Sequence, residues 1–171
     1  MASLKEGMVP FIKADEIQQM ISVLADTIDQ QYRDEPVVLI CPLKGSFMFV
    51  ADLCRKIKNP NLEIEFVQVK SIGRSVSVVK DIGIEIYNKH VIICEEIIDA
   101  GKTLSFLRKH LMLSMPASIR ICALIDKPSR REIPLKPEYT GKTIDDRYVI
   151  GYGMDSDELG RNYSEIYNFM Q

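Results

Sequence analysis

Between Glu95 and Thr103 the chain places the carboxylates Glu95, Glu96 and Asp99 just ahead of the turn Ala100-Gly101-Lys102-Thr103. A glycine-containing turn that opens a helix offers free backbone N–H groups and the positive end of the helix dipole, a geometry that receives phosphate. Thr103 adds a hydroxyl. Carboxylates beside such a turn repel phosphate unless ligand hydroxyls donate to them or Mg²⁺ bridges them to phosphate oxygens. A sugar bearing a 5′-phosphate satisfies both demands, with its phosphate on the amides and its hydroxyls on the acids. The Gly-Lys-Thr triplet is not a Walker A loop, because that pattern needs glycine where Glu96 stands. Taken alone, the turn reads equally as a strand-to-helix connection with Asp99 as its capping residue.

These groups need elements to hold them. The apolar run Val91-Ile92-Ile93-Cys94 predicts a strand leading into the acids, and Leu104, Leu107 and Leu111 predict a helix leaving them. Upstream, Ile17, Met20, Ile21, Leu24, Ala25 and Ile28 fall on one face of a helix from about Lys13 to Tyr32, with Asp15 able to cap its start. Pro36 ends that helix, and Val37 to Ile40 read as a buried strand. After the turn Leu43-Lys44-Gly45-Ser46, a second helix carries Phe49, Val50, Leu53 and Ile57. Further strands are expected at Ile64–Val69, Ile119–Ile125 and Tyr148–Tyr152. Residues 70–88 are rich in Ser, Val and Gly without helical period, which suits a hairpin or a mobile loop. Strand and helix in alternation argue for an α/β fold around a mostly parallel twisted sheet flanked by helices. Ligands of such sheets sit outside the carboxyl ends of the strands, where the turns after Leu43 and after Glu95 both lie.

The whole chain narrows the partners. Its 171 residues suit a single domain, 1–171, and 46% apolar and 27% charged residues are ordinary for a globular protein. A net charge of −2 gives no reason to expect nucleic acid. Cys41, Cys54, Cys94 and Cys122 form no C-x-x-C pair and read as small hydrophobes in a reducing compartment. Two histidines make a histidine-rich zinc site a poor reading. There is no apolar h-region at the start and no run of the ~18 apolar residues that a membrane helix needs, so no membrane partner and a cytoplasmic location are expected.

Four segments carry a resemblance. VIICEEIIDAGKTL resembles the phosphoribosyl pyrophosphate motif of the type I phosphoribosyltransferases. LKGSFMFVADL resembles the pyrophosphate loop of their hypoxanthine-guanine branch, ALIDKP the segment with its base-recognition lysine, and YVIGYGMDSDELGRNY its C-terminal purine-binding segment. They occur in the family's order across nearly the whole chain. The resemblance implies a magnesium-dependent transferase that joins hypoxanthine or guanine to the ribose phosphate of phosphoribosyl pyrophosphate. It implies that Glu95 and Glu96 hold the ribose hydroxyls, that Ala100, Gly101, Lys102 and Thr103 hold the 5′-phosphate, and that Asp99 accepts the purine N7 proton. By the same analogy Lys44, Gly45 and Arg161 bind pyrophosphate, Arg161 through its planar fork. Lys127 donates to the purine O6, Tyr148 stacks on the base, the backbone of Val149 reads its edge, and Asp155 borders the purine. Glu95 and Asp155 become Mg²⁺ ligands, and Leu43-Lys44 a cis peptide. A small hood over the site, formed by the terminal segments including about 145–171, a lid at 70–88 and a homodimer or homotetramer complete the implied picture.

Two departures from the family pattern bear on activity. The usual Glu-Asp pair is Glu95-Glu96 here, which moves one carboxylate by about a methylene. The usual Ser-Tyr pair of the lid is Ser71-Ile72, and the loop is short. Reduced turnover is expected, to be tested by restoring tyrosine at Ile72. The altered lid also leaves open a non-catalytic sensor or RNA-binding regulator on the same scaffold. Selection at the purine 2-position leaves open an enzyme for xanthine or another base.

Overall fold

The central strands carry unbroken apolar stretches, at 37–43, 91–94 and 121–125, because both of their faces are covered. The computed structural model describes residues 7–72 and 75–169. In chain order its elements begin with β1 (Met8–Ile12), α1 (Ala14–Tyr32), β2 (Val37–Leu43), α2 (Phe47–Lys56), β3 (Leu62–Ile72) and β4 (Ser75–Lys80). They continue with β5 (His90–Ile98), α3 (Lys102–Met112), β6 (Ser118–Asp126), β7 (Tyr139–Thr143), β8 (Val149–Ile150) and β9 (Ile166–Phe169), with a 3₁₀ turn at Pro128–Arg130. The main sheet has the order β4-β3-β2-β5-β6-β7 and is parallel except for β4.

Side chains alternate between two cores. Val37, Leu39, Cys41, Ile92, Cys94, Cys122 and Leu124 face α1 and α2, whereas Val38, Ile40, Val91, Ile93, Ile121 and Ala123 face α3. Such double coverage explains the unbroken Val/Ile runs. All four cysteines are free, and Cys41, Cys94 and Cys122 are buried, as their apolar surroundings suggested. No helix of the described residues is long and apolar enough to cross a membrane.

Three expectations are corrected. Asp15 does not cap α1: Lys13 occupies the cap position in extended conformation without a side-chain bond, and Asp15 lies inside the first turn. There its charge still favours the positive end of the helix. Asp99 is not the cap of α3, because Gly101 holds that position with φ +82°, a left-handed backbone that glycine adopts at no steric cost. The strand expected at Tyr148–Tyr152 shortens to Val149–Ile150 and joins a separate sheet, β1-β9-β8, built from both ends of the chain. This sheet is the expected hood. In the region expected as a lid, β3 and β4 pair as an antiparallel extension of the sheet edge. Residues 73 and 74 of that lid, and 170 and 171 of the hood, lie outside the described residues.

Candidate active site

Strand order reverses between β2 and β5: the chain leaves β2 toward β3 on one side, then returns to place β5 on the other. The loops at the carboxyl ends of these two strands therefore diverge and open a cleft, the usual ligand position in an open α/β sheet. A cavity of about 600 Å³ occupies it. Lys44 and Gly45 line it from the end of β2; Glu95, Glu96 and Asp99 from the end of β5; Ala100, Gly101, Lys102 and Thr103 from the start of α3; and Asp155 and Arg161 from the hood side. The residues expected to serve the sugar, the phosphates and the metal thus share one cavity. Ser71 also lines it.

Of the four residues expected at the purine, Asp155 lines this cavity, whereas Lys127, Tyr148 and Val149 do not. Lys127 follows β6 and is buried rather than solvated, with its backbone N–H donating to Ile98 O over 3.1 Å. Tyr148 is 44% exposed; its hydroxyl donates to Asp155 O over 3.3 Å, and its ring meets Phe169 edge-on. Val149 is buried in the hood, opposite Asn168 of β9.

The floor of the cavity is tightly made. The Leu43-Lys44 peptide is cis, as the resemblance implied. Ser46 donates to Pro42 O over 2.5 Å and fixes the turn after β2. Gly45 is wedged between two neighbours. A Cβ built on it would come within 1.7 Å of Glu96 Oε1, and one built on Gly153 would come within 2.0 Å of the Gly45 carbonyl oxygen. Glu96 Oε2 is buried with no hydrogen-bond partner among the described residues.

That environment acts on the acids. Burial pushes the Glu96 carboxyl up to about 7; nearby Arg161 opposes the shift, and Asp155 adds to it. Burial, then the charge of Glu96, holds the Glu95 carboxyl well above its ordinary range. Both side chains are only partly buried, so ligand hydroxyls or a cation entering the cavity can reach them. On the hood side Arg161 pairs with Asp155 over 2.7 Å and donates to Gly153 O over 2.8 Å, while Lys44 pairs with Glu158 over 3.1 Å. An acidic floor facing two cations suits a ligand with hydroxyls at one end and phosphates at the other.

Sequence reading missed a brace made by three consecutive residues, Arg130, Arg131 and Glu132. Arg131 is nearly buried and bonds Asp126, the Ile98 carbonyl over 3.0 Å, the Asp99 carbonyl, and Leu135 O over 3.2 Å. Glu132 pairs with Lys102, and its N–H donates to Ala100 O over 3.1 Å. Arg130 Nε donates to Asp99 Oδ1 over 3.1 Å. The one available signal was two adjacent arginines so soon after Lys127.

The description "Phosphoribosyl transferase domain" belongs to the family model that matches residues 13–157. The chain belongs to this phosphoribosyltransferase family. Within it, the chain is 42% identical over 160 residues to the hypoxanthine phosphoribosyltransferase of Salmonella typhimurium, covering 89% of each protein. Its fold matches the crystal structure of a hypoxanthine-guanine phosphoribosyltransferase from Bacillus anthracis with a TM-score of 0.92 and 39% identity, covering 95% of this chain and 98% of that one. A hypoxanthine phosphoribosyltransferase from Trypanosoma cruzi, solved as a ternary substrates complex of a mutant, matches with a TM-score of 0.92 at 32% identity over 96% of this chain and 97% of that one.

The donor set of this phosphoribosyltransferase fits a magnesium ion. No three acidic, histidine or cysteine side chains converge as a cation site among the described residues, but Mg²⁺ bound with a phosphate substrate takes only one or two carboxylates. Glu95 and Asp155 line the same cavity, and the unpartnered Glu96 oxygen beside them marks unmet demand for positive charge or a hydrogen-bond donor.

Proposed function

We infer that this chain is a hypoxanthine phosphoribosyltransferase of purine salvage, moving the 5-phosphoribosyl group of phosphoribosyl pyrophosphate to N9 of hypoxanthine or guanine. The products are IMP or GMP and pyrophosphate. The observation that carries the reading is the single cavity in which the carboxylates at the end of β5, the N-terminus of α3 and Arg161 meet, in a chain whose relatives are named for this activity.

The parts divide the work as follows. Backbone N–H groups from Ala100 to Thr103 bind the 5′-phosphate at the positive end of α3. Glu95 and Glu96 accept from the ribose hydroxyls. The purine lies on Tyr148, with its O6 facing Lys127 and its edge facing the backbone of Val149 and Asp155. The N9 electron pair forms the bond to ribose C1 as the C1–oxygen bond breaks, and that bonding pair leaves with pyrophosphate. The N7 proton passes to Asp99. Lys44, the Gly45 amide and Arg161 stabilise the charge that builds on the leaving group. Glu95 and Asp155 would hold Mg²⁺, which when bound neutralises pyrophosphate oxygens. The β3–β4 hairpin, with Ser71 at the cavity, shields the reaction from water. The protein acts in the cytoplasm on small molecules, without nucleic acid or membrane, as a homodimer or homotetramer. Phe47, 38% exposed at the start of α2, supports a contact between copies there.

A spectrophotometric assay with phosphoribosyl pyrophosphate and Mg²⁺, run against hypoxanthine, guanine, xanthine, adenine and uracil, tests the reading. Nucleotide should form from hypoxanthine or guanine, at a much reduced rate in Asp99→Asn. Product from xanthine alone, or from no base despite bound phosphoribosyl pyrophosphate, would overturn it.

A further inference from the structure

Arg130 stands where three segments meet. Its Nε donates to Asp99 Oδ1 over 3.1 Å at the end of β5, and its Nη1 lies 3.6 Å from Asp146 Oδ2, two residues before Tyr148. Arg130 itself closes the 3₁₀ turn that follows Lys127, with its N–H donating to Lys127 O over 3.1 Å. Asp99 and the segment just ahead of Tyr148 are thus tied to the Arg130 guanidinium, and Lys127 to its backbone N–H.

The contact is built rather than incidental. The backbone that presents Arg130 is fixed to the Asp99 loop on both sides, by Lys127 N–H on Ile98 O and by Glu132 N–H on Ala100 O, each over 3.1 Å. Arg131, next in the chain, grips the carbonyls of Ile98 and Asp99. With its root held this way, the Arg130 side chain has few ways to reach Asp99 other than the one observed. The pair is open to solvent, Arg130 at 51% and Asp99 at 48%, so it adds little to stability. Its effect is on direction: one carboxylate oxygen of Asp99 is held by Arg130, in a residue that lines the cavity.

We propose that Arg130 is a positioning residue for the transfer reaction, holding the Asp99 carboxylate in the orientation that accepts the purine proton and linking it through Asp146 to the segment that carries Tyr148. This rests on the function proposed above. Arg130 acts through Asp99 and is not among the residues that line the cavity, so its loss should fall on the base and spare phosphoribosyl pyrophosphate.

The test is a double-mutant cycle in steady-state kinetics. Arg130→Ala should lower kcat/KM for hypoxanthine by about tenfold or more while leaving KM for phosphoribosyl pyrophosphate within about twofold. Arg130→Lys, which keeps the charge and loses the planar fork, should recover only part of the loss. In an Asp99→Asn background with measurable residual rate, Arg130→Ala should cost about twofold at most, because the group it positions is gone. Wild-type or higher kcat/KM in Arg130→Ala, or an equal loss with and without Asp99, would overturn the inference while leaving the proposed function standing. A wild-type protein that makes no nucleotide from any base would overturn both.

Discussion

The Glu96 carboxylate lies directly beneath Gly45, so close that a methyl group on the glycine would sit 1.7 Å from Oε1. The two strand ends that open the cleft are in contact through this pair, and the position of one acid depends on the absence of a side chain opposite. Gly45→Ala should therefore drive the Glu96 side chain out of its place. Circular dichroism should show a folded protein, and KM for phosphoribosyl pyrophosphate should rise on the order of tenfold. An alanine variant with unchanged KM would mean that Glu96 makes no use of this position.

Glu96 should also make the free protein less stable at neutral pH. Its carboxyl titrates near 4.5 in an unfolded chain, and burial carries it to about 7 in the folded one. Between those values the folded state keeps a proton that the unfolded state has released. The Glu96 penalty is then absent below pH 4.5, grows across the window and is complete above 7. Glu96→Gln removes this penalty and should gain on the order of 1–2 kcal/mol at pH 8 without Mg²⁺. Melting curves from pH 4.5 to 8 check it: the variant should gain on wild type as pH rises, and parallel curves would refute it.

Arg131 is predicted to matter most for the shape of the phosphate turn. It is nearly buried with Asp126 and holds the carbonyls of Ile98 and Asp99. Arg131→Ala leaves Asp126 without its charge partner and frees the turn, which should cost about 3–5 kcal/mol. Urea unfolding measures that cost. Calorimetric titration with phosphoribosyl pyrophosphate should show weakened binding in whatever fraction stays folded, and retained stability together with retained affinity would contradict the brace.

The legible parts of this protein are those that repeat locally. Val37–Ile40, Val91–Cys94 and Ile119–Ile125 are apolar runs that only a doubly covered strand needs, and the acids and turn after Cys94 are contiguous in sequence. The chemistry of the cavity could be read because two short segments carry most of it. The β7 strand, Tyr-Thr-Gly-Lys-Thr, escaped notice because it sits at a sheet edge with little apolar content. Its Gly141 lies so near Leu124 that an added Cβ would meet the Leu124 carbonyl oxygen at 2.6 Å. The hood pairs Met8 with Phe169, and nothing local to either end announces a partner so far away. Arg130 and Glu132 act through ion pairs across about thirty residues, and such pairs leave no periodic trace. Asp15 went wrong by a smaller margin, because the cap position lies two residues earlier, at Lys13.

The Tyr152 hydroxyl clasps the hood to the helices, and its loss supplies the last prediction. Tyr152, in the loop after β8, donates to Asp52 Oδ2 on α2, an oxygen that also accepts from Gln18 Nε2 on α1 over 2.8 Å. Burial, then the bond to Asp52, holds the Tyr152 phenol well above its ordinary range, so it remains a donor at any pH the protein tolerates. Tyr152→Phe keeps the packing and deletes the bond, which should cost on the order of 1–2 kcal/mol. The same loop continues to Asp155 and Arg161, so the loosened hood should also raise KM for phosphoribosyl pyrophosphate, more than it changes kcat. Asp52→Asn keeps an acceptor for the hydroxyl and should have the smaller effect on both. If Tyr152→Phe destabilises the protein without touching KM, the clasp serves the fold alone and the cavity holds its shape without it.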